Sequence, residues 1–420
     1  MKKGFEQFGK PQSDTGGGAE HVKKDNGITR REFLKNAGLV MGGIFGAHAA
    51  EKLVKTGSSY VDDLIEWLET GVSTENSEEV LDIEPEAIRT ILNYDARRIE
   101  LNPERMKQLK EYWRLRYTNP NDHGRLQEGL QKGVERMSEW DPYIHQAFQK
   151  HAIPERLRYL ALAESDFNPN AKSRKGAGGP FQIMPETARG YGLFMKPLVI
   201  DERRDPVKSA DAAARILKDF YARTGDWRLA VSGYNGSFVS HYADKAKAKK
   251  ETITYEGFLS FLSGEITSLR DAIQQNQFRH RVRRYESKES IAKRYGVHTR
   301  QIIQEDGSKA ALRVGKRVRI DIQGEDEKRN IFYRVMRGFA ENVGFYPRFD
   351  AIADIVEGSD AFAKQGKTLQ FRHVKTKSLD TLHTISRRHR MDAASAEELN
   401  PAILRSRATL PRGYEIRVGG

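Results

Sequence analysis

One short helix, which carries a single acid in line with its apolar face, constrains this 420-residue chain more than any other feature. Pro154 suits the first turn of a helix, and Asn168-Pro169 predicts its end. Between them, residues recur at i, i+3, i+4 and i+7, which is the spacing of one helical face. The face consists of Leu157, Leu160, Ala161 and Glu164. The pattern therefore predicts a buried helix with Glu164 in its last turn.

The position of Glu164 predicts a raised pKa for its carboxyl group. Burial disfavours the charged form, and the negative end of the helix dipole disfavours it again. A carboxyl group that stays protonated near neutral pH is what a general acid for glycosidic cleavage needs. From the spacing alone, the commoner alternative is a glutamate that bends out into solvent at the end of a helix.

Two further motifs follow this helix. A small-residue loop, Gly176–Gly179, would let the backbone approach a ligand closely, and Pro185–Ala188 opens another helix. The chain reads E-S-D-F-N-P from Glu164, S-R-K-G-A-G-G-P-F-Q-I-M-P-E-T-A from Ser173, and A-V-S-G-Y-N-G from Ala230. In this order the motifs resemble those of the lysozyme-like lytic transglycosylases of glycoside hydrolase family 23, the SLT domain family, and within it the membrane-bound D type.

The resemblance implies a site and a reaction. Glu164 would protonate the glycosidic oxygen and then act as a base, while Ser165 would orient its carboxylate. Gln182, Tyr234 and Asn235 would hold the sugar. The resemblance implies cleavage of the MurNAc–GlcNAc β-1,4 bond of peptidoglycan with formation of 1,6-anhydro-MurNAc ends, and we expect neither a cofactor nor a metal. Without the resemblance to this family, Tyr234 and Asn235 would be interpreted as a buried tyrosine and a helix cap.

Acid-catalysed glycosidic cleavage usually needs two carboxylates, and the sequence offers one strong candidate. Asp166 would point away from the face that carries Glu164, and Glu186 lies at a position that varies in the family, so we expect both to be solvated. In lytic transglycosylases one glutamate serves as acid and then as base, which accounts for the missing partner. Two alternatives stay open: a hydrolytic lysozyme (muramidase) on the same fold, and a non-catalytic peptidoglycan-binding protein.

The last part of the family pattern, E-T-x-x-Y-V-P-K, has its nearest match at Glu341–Arg348, far beyond Gly236. The match adds Glu341 and Tyr346 to the candidate substrate-binding residues. Family members commonly place this segment soon after the preceding motif. The chain between the two motifs is therefore predicted to contain an insertion in the catalytic domain.

Two weak internal repeats occupy the second half of the chain. The first covers 280–320 and the second 372–418, and each predicts a strand, two helices and a strand. Both resemble the LysM carbohydrate-binding module, which recognises N-acetylglucosamine-containing glycans. The second keeps the module's typical residues at 380–382 and 399–401, whereas the first departs from them at 285–287, which leaves its glycan binding open. A small α/β spacer is the alternative for both.

The predicted fold class is mainly α, with a lysozyme-like α-helical catalytic domain and two small α/β (βααβ) LysM-like modules. In chain order, we predict a twin-arginine signal peptide (1–49), a helical N-terminal region (50–135), a lysozyme-like catalytic domain (136–250), an insertion with the first LysM-like module (251–325), returning helices that complete the catalytic domain (326–362) and the second LysM-like module (366–420).

The N-terminal residues predict export. Thr29–Lys35, with paired arginines, precedes a mild apolar run at 37–47, and Ala47-His48-Ala49 is a candidate cleavage site. This order resembles a twin-arginine export signal and implies a bacterial protein of the periplasm or cell envelope. A basic amphipathic helix is the alternative. An uncleaved signal would associate the protein with the inner membrane, although no stretch is long and apolar enough for an ordinary membrane span.

The formal net charge is +13, and the sequence has no cysteine with which to form a disulfide, a zinc-thiolate site or a lipid-modified cysteine. The positive charge suits a polyanion, either nucleic acid or the free carboxylates of peptidoglycan, and does not choose between them. Few aromatic residues alternate with the basic ones, which argues against base stacking. The expected partner is therefore the peptidoglycan glycan strand and not nucleic acid. The scattered histidines show no metal-binding spacing.

Overall fold

The computed structural model describes residues 92–97, 99–118, 125–236, 238–308, 311–359 and 368–419. The predicted twin-arginine signal and most of the predicted helical N-terminal region lie outside the described residues. Where the chain is described, the fold is mainly α, as predicted, with short antiparallel strands. No helix in this part of the chain is both long enough and apolar enough to cross a bilayer.

Most of the described chain before residue 275 is helical, and a long helix returns after residue 323. These helices are α1 (Pro103–Thr118), α2 (Arg125–Lys150), α3 (Leu160–Ser165), α4 (Pro185–Gly190), α5 (Pro206–Thr224), α6 (Trp227–Asn235), α7 (Phe238–Lys249), α8 (Tyr255–Gln274) and α10 (Gly324–Glu357). The 3-10 turns Glu155–Tyr159 and Glu202–Arg204 precede α3 and α5. Strands β1 (Met195–Lys196) and β2 (Ile200–Asp201) form a hairpin between α4 and α5.

Side-chain caps set where several of these helices begin. The Asp205 carboxylate accepts hydrogen bonds from two backbone amides at the start of α5, and Pro206 occupies the first helical position. Asp226 caps α6 and Thr254 caps α8 in the same way. Helix α5 ends at Gly225, whose φ of 71° suits a glycine. Residues that the local sequence supplies therefore define both ends of α5.

Helix α2 crosses the boundary predicted at residue 135. Its buried side chains lie on both sides of this point at helical spacing: Leu130, Val134, Met137, Ile144 and Phe148. They enter the same hydrophobic core as α1 and the later helices. One continuous helix therefore spans the predicted boundary, and the division between an N-terminal region and a catalytic domain stays a prediction.

The returning helices predicted at 326–362 are one helix in the structure, α10, which continues through Pro347. It packs along α1 and against α6 and α8. Helix α8 lies inside the predicted insertion, yet its Leu262 and Ile266 are fully buried in the core that α10 shares. The insertion that leaves the helical body is therefore shorter than predicted and begins after α8.

The first repeat contains α9 (Lys288–Tyr295) and a three-stranded antiparallel sheet in the order β3-β5-β4. These strands are β3 (Arg279–Arg281), β4 (Ile302–Gln304) and β5 (Arg317–Ile320). The predicted second helix is wrong, because the 3-10 turn Thr299–Gln301 leads at once into β4. Two β-branched residues, Ile302 and Ile303, favour the strand, and Ile302 is buried where β4 pairs with β5.

The second repeat has the predicted order of strand, helix, helix and strand. It consists of β6 (Phe371–Lys375), α11 (Leu382–Arg388), α12 (Ala393–Leu399) and β7 (Glu415–Gly419), with β6 and β7 antiparallel. Its core is separate from that of the helical body. The core residues are Leu382, Ile385, Ala396, Ile403, Leu410, Ile416 and Val418, joined by Ile200 from the hairpin.

A buried ion pair joins the second repeat to the helical body. Arg417 on β7 donates two hydrogen bonds to the Asp205 carboxylate, at 2.7 and 2.8 Å, and both side chains are 5% exposed. The Arg417 guanidinium also lies over the ring of Trp140 on α2, 5.2 Å from its centroid. Beside it, the backbone amide of Asp201 donates to Ala402. The repeat is thus held at the N-terminal end of α5.

Candidate active site

The helix that carries Glu164 forms close to where the sequence predicts it. The 3-10 turn Glu155–Tyr159 leads into α3, and Leu160 and Ala161 are fully buried. Glu164 is half-buried in the last turn of α3. The apolar face anchors the helix, so this carboxyl group lies at the boundary between core and solvent. The raised pKa of Glu164 remains a prediction.

The two residues that follow α3 have unusual backbone conformations. Asp166 and Phe167 have φ of 49° and 53°, the left-handed region that L-residues other than glycine rarely adopt. Phe167 is fully buried and fixes the turn in the core. Asp166 was expected to be solvated; it is half-buried, which corrects that expectation. Burial raises the pKa of Asp166, although the charges of Arg348 and Arg136 partly oppose it.

The glycine-rich loop lies directly against the 3-10 turn before α5. A β-carbon at Gly179 would come within 1.7 Å of the Arg203 carbonyl oxygen, so only glycine fits there. The Arg203 guanidinium donates to the carbonyl oxygens of Gly176, at 2.6 Å, and Ile183, at 3.1 Å. The shape of the loop therefore depends on Arg203, which the sequence motifs did not identify.

Ser165 connects α3 to this loop. Its hydroxyl donates to the Pro180 carbonyl at 2.7 Å and accepts a hydrogen bond from the Asn168 amide at 3.1 Å. The predicted role for Ser165 was to orient the Glu164 carboxylate. In the structure its hydroxyl bonds α3 to the loop, and the role in orienting Glu164 stays a prediction.

Gln182 lies at the end of the loop, half-buried and with a positive φ of 46°. Its side-chain amide donates to the Gly179 carbonyl at 2.8 Å. The bond folds the side chain back over the loop. The loop thus carries both a left-handed glycine and a left-handed glutamine, at Gly179 and Gln182.

Tyr234 brings α6 to the loop. Its hydroxyl donates to the Phe181 carbonyl at 2.7 Å, and its side chain is buried. Burial raises the pKa of Tyr234, and the negative charge of Glu164 raises it further. Tyr234 and Ser165, the residue after Glu164, thus donate to the adjacent loop carbonyls of Phe181 and Pro180. Asn235 follows as the last residue of α6 and is half-buried.

Helix α10 approaches the same end of α6. A β-carbon at Gly236 would come within 1.8 Å of Asn342 Oδ1, so the Y-N-G motif lies directly against α10. The side chain of Glu341, predicted to bind substrate, lies outside the described residues. Its neighbour in sequence, Asn342, is therefore the described residue that brings this segment to the motif.

Tyr346, the other residue predicted from this segment, packs elsewhere. Its ring meets that of Tyr255 edge-on, with centroids 5.5 Å apart. Burial raises the pKa of Tyr346 to about 12. Asp226 and Arg228, which also act on its phenol, lie at the opposite end of α6 from Asn235. Counting from Glu341, the tyrosine of the family pattern corresponds to Phe345 instead, which is buried.

Arg348 is a site residue to which the sequence analysis gave no role. It is half-buried on α10, and its Nε donates to the Tyr117 hydroxyl at 2.8 Å. The charges of Asp166 and Glu164 both act on its guanidinium. It matches the last, basic position of the E-T-x-x-Y-V-P-K pattern, and this was the signal that could have identified it.

The arrangement contains acids, hydroxyls and amides but no candidate metal ligands grouped together. Among the residues that the structure describes, no three His, Cys, Asp or Glu side chains lie close enough to hold a metal ion. What the site brings together is a half-buried carboxyl group on α3, a strained loop and a tyrosine on α6. In such a site the carboxyl group can give a proton to a ligand bound beside the loop, and the resulting carboxylate can then accept a proton.

The comparisons with known proteins agree with this geometry. Residues 142–256 match the transglycosylase SLT domain family. The chain is 37% identical over 99 residues to membrane-bound lytic murein transglycosylase D of Escherichia coli (strain K12), and equally to the protein of that name from Escherichia coli O6:H1. It is 34% identical over 94 residues to an Alteromonas sp. (strain M-1) protein named for tributyltin chloride resistance.

These matches cover only part of each protein. The 99 residues are 23% of this chain and 22% of the Escherichia coli protein, and the 94 residues are 22% of this chain and 45% of the Alteromonas protein. The matched part of the chain includes α3, the loop and α6, which together form the candidate site. The chain therefore carries a lysozyme-like transglycosylase SLT domain at residues 142–256.

Proposed function

We propose that the chain is a peptidoglycan lytic transglycosylase that cleaves the MurNAc–GlcNAc β-1,4 bond and leaves 1,6-anhydro-MurNAc ends. The observation that carries the proposal is the position of Glu164. It is half-buried at the end of α3, and its negative charge is one of the causes that raise the pKa of Tyr234 on α6. An acid in such a place keeps its proton more readily than an acid in free solution.

In the proposed reaction Glu164 acts twice. It first gives its proton to the glycosidic oxygen, and the bond from that oxygen to C1 of MurNAc breaks. The carboxylate then removes the proton of the 6-hydroxyl of the same sugar, whose oxygen forms the new bond to C1. The proton returns to Glu164, and no water is consumed. The N-acetyl group of the substrate would stabilise the positive charge that develops at C1.

The residues around Glu164 would fix the sugar. Gln182 and Asn235 have half-buried side chains beside the loop and at the end of α6, and their amides suit sugar hydroxyl and N-acetyl groups. The Tyr234 hydroxyl donates its hydrogen bond to the Phe181 carbonyl oxygen. Toward substrate, the same hydroxyl would therefore accept a hydrogen bond. Ser165 and Arg203 would act indirectly, by holding the loop in place. Glu341 and Tyr346 would be further substrate-binding residues.

The two repeats would hold the enzyme to its polymeric substrate. Tyr285 and Leu379 occupy the same position in the two repeats and are 93% and 81% exposed. Both have left-handed backbones, with φ of 66° and 65°, where glycine would be unstrained. An exposed apolar side chain kept in a strained conformation suggests contact with a ligand. We therefore propose that these loops contact the glycan, as LysM-like modules would.

The proposed location is the periplasm or cell envelope, reached by twin-arginine export. The predicted signal at residues 29–49 supports export, and the substrate class requires that location. The chemistry of peptidoglycan, with free carboxylates on its peptides, also suits a chain of net charge +13. Fractionation of cells that express the tagged full chain, with the Arg30-Arg31 pair changed to lysines as the control, would test the export route.

Mass spectrometry of the fragments released from purified peptidoglycan tests the reaction. Anhydro ends, lighter by one water than reducing ends, are expected for the transglycosylase. Reducing ends would make the protein a muramidase. Binding to the wall without soluble fragments would favour a non-catalytic binding protein.

Two matched substitutions assign the acid. Glu164→Gln should abolish release of fragments and leave wall binding intact, because it removes the proton donor and little else. Glu186→Gln is the control, since Glu186 is an exposed acid on α4. It should retain activity close to that of the unchanged protein. Near-normal turnover by the Glu164 variant would contradict the proposed mechanism.

A further inference from the structure

The turn that ends the Glu164 helix is strained in a way that the sequence does not explain. Asp166 and Phe167 are consecutive left-handed residues, and neither is glycine. Each such residue costs conformational energy, so other contacts must hold the turn in place. Phe167 is held by its buried ring. Asp166 has no buried ring, but its backbone amide donates to the Leu162 carbonyl at 3.0 Å, as the left-handed residue after a helix commonly does. The helices around it supply further contacts.

Helix α2 packs closely against Asp166. A β-carbon at Gly129 would come within 2.9 Å of Asp166 Oδ2, and one at Gly133 within 2.8 Å of the Asp166 carbonyl oxygen. One helical turn further on, Arg136 donates to the carbonyl oxygens of both Asp166 and Phe167. Two glycines and an arginine on one face of α2 therefore enclose the strained turn.

Helix α10 packs against α3 and carries Arg348, whose charge acts on Asp166. Arg348 on α10 is oriented by its hydrogen bond to Tyr117 on α1, whose side chain is 2% exposed. Its guanidinium also lies near the rings of Trp113 and Tyr117, at 5.6 and 6.0 Å from their centroids. Burial lowers the pKa of Arg348, whereas Tyr117, Asp166 and Glu164 raise it, so it stays charged.

The charged and titratable groups that face this end of α3 come from four places. Tyr234 acts from α6, Arg348 from α10, and Arg136 from α2, while Asp166 lies in the turn itself. Two of these groups, Asp166 and Arg348, carry opposite charges and interact with each other.

We propose that Asp166 and Arg348 are positioning residues of the active site: together they fix the turn that ends the Glu164 helix and balance the charge around the Glu164 carboxyl group. The inference rests on the proposed function and adds to it. Position 166 is the variable letter of the E-S-x-F-N-P motif, so the pairing is a property of this chain rather than of the motif.

In this proposal the two charges would act on Glu164 in opposite directions. The Arg348 cation favours the ionised carboxylate, and the Asp166 anion favours the protonated acid that the first step requires. Removing one charge therefore leaves the other unbalanced. A residue that only supported the fold would not produce shifts of opposite sign.

The test is a double-mutant cycle on the pH dependence of fragment release by the full chain. Asp166→Asn keeps the side-chain shape and tolerates the left-handed backbone, because asparagine is enriched there. At the alkaline side of the pH–activity profile, the rate falls as Glu164 loses its proton. Asp166→Asn should move this fall to lower pH by about half a unit or more. Arg348→Gln should move the fall to higher pH, and the double variant should lie near the unchanged protein.

Arg348→Lys is the matched control for charge, since it keeps the cation and loses the bond from Nε to Tyr117. It should restore the pH of this fall, even if its rate is lower. Shifts in the same direction for Asp166→Asn and Arg348→Gln, or no shift in either, would overturn the proposal. Thermal melts of every variant identify any that fail to fold.

A second readout keeps the proposal testable without turnover. The Glu164 carboxyl carbon can be titrated by 13C NMR, and its signal is assigned as the one absent in Glu164→Gln. Opposite shifts of this titration in the two single variants would support the charge balance even if the protein released no fragments. A protein that released no fragments would contradict the proposed function, whereas titration shifts in the same direction would contradict the charge balance. The two failures are therefore distinguishable.

Discussion

The two repeats share a sequence pattern but are joined to the rest of the molecule in different ways. In the first repeat, Ile291 on α9 and Ile320 on β5 belong to the same core as the helices of the body. In the second, Ile385 on α11 and Ile416 on β7 belong to a small separate core. A continuous hydrophobic core attaches the first repeat. The second is attached by a buried ion pair, by the shared Ile200, and by Phe371 on β6, whose ring packs against those of Trp140 and Tyr143.

The connections explain part of this difference. Helix α8 ends at Gln274 and β3 begins at Arg279, while β5 ends at Ile320 and α10 begins at Gly324. Phe278 and Ile322, which lie in these short links, are themselves buried. Short links place the first repeat against two long helices, so its apolar face is completed by them. The same local sequence pattern can therefore form part of a larger core, as in the first repeat, or a small core of its own, as in the second.

The polar networks differ as well. In the second repeat, Asp380 pairs with Arg388, which is 46% exposed. Only the first repeat places a titratable histidine, His280, inside its core, with Tyr295 as a partner at 2.9 Å.

The largest expected effect comes from breaking the attachment of the second repeat. Arg417→Met leaves the Asp205 carboxylate buried without its cation, and we expect a loss of about 4 kcal/mol in the free energy of unfolding. Urea unfolding followed by tryptophan fluorescence measures it, because Trp140 lies beside Arg417. Arg388→Met, in the half-exposed pair, is the control and should cost far less. Equal losses for the two variants would contradict the assigned importance of burial.

The next effect separates the two cores. Ile291→Ala and Ile385→Ala remove equivalent side chains from α9 and α11, and both positions are at most 1% exposed. Each should cost about 3 kcal/mol through the cavity that it creates. The first should lower the single unfolding transition of the body, and the second should let the C-terminal repeat open alone. Hydrogen exchange resolved by peptide distinguishes these outcomes, and identical exchange patterns would rule out separate cores.

The third effect concerns acid stability. Burial raises the pKa of Glu286, but the hydrogen bond and charge of His280 outweigh it and hold the pKa at about 2. Because the folded value is below the unfolded one, this stabilisation is complete above about pH 4.5 and is lost as the pH falls toward 2. After allowance for partial exposure, it amounts to about 2 kcal/mol.

Glu286→Gln should therefore flatten the dependence of the melting temperature on pH between pH 4.5 and 2. Asp380→Asn is the matched change in the second repeat, where the pKa of Asp380 is lowered mainly by its hydrogen bond to Arg388. Its effect should be smaller, because the Arg388 side chain is half-exposed. A larger change in the pH dependence for Asp380→Asn than for Glu286→Gln would contradict the stronger pairing assigned to the first repeat.

The smallest effect concerns the strained loops. Tyr285→Gly and Leu379→Gly relieve left-handed backbones and should raise stability by at most about 1 kcal/mol. Both should weaken binding to purified peptidoglycan in pull-down assays, because the exposed side chain is lost. Tyr285→Ala keeps the strain and removes the ring, so it separates the two effects. Unchanged wall binding in all three variants would exclude these loops as glycan contacts.

Local sequence predicted the elements of the site well. The spacing of apolar residues predicted the helix that carries Glu164, and Pro185–Ala188 opens a helix as predicted. The hydrophobic period and the capping residues are local properties, so a single sequence contains them. The second helix of the first repeat was wrong because strand pairing with β5 overrode the repeat pattern.

The connections between the elements could not be predicted in this way. Arg348 binds Tyr117, 231 residues away in sequence, and Tyr234 binds Phe181, 53 residues away. The sequence assigned the Tyr234 and Ser165 hydroxyls to substrate and to Glu164, whereas the structure bonds both to loop carbonyls. A motif shows that a side chain is present, but not which backbone group will satisfy it.

The sequence by itself identified the candidate acid, the helix that carries it and the order of the motifs around it. The tertiary structure alone decided that Asp166 lies against α2, that α10 brings Arg348 to the candidate site, and that the first repeat shares the core of the body while the second has a core of its own. The physical reason is the range of the interactions. Helix formation and capping involve neighbours in sequence, whereas burial, charge balance and backbone strain depend on which distant segments pack together.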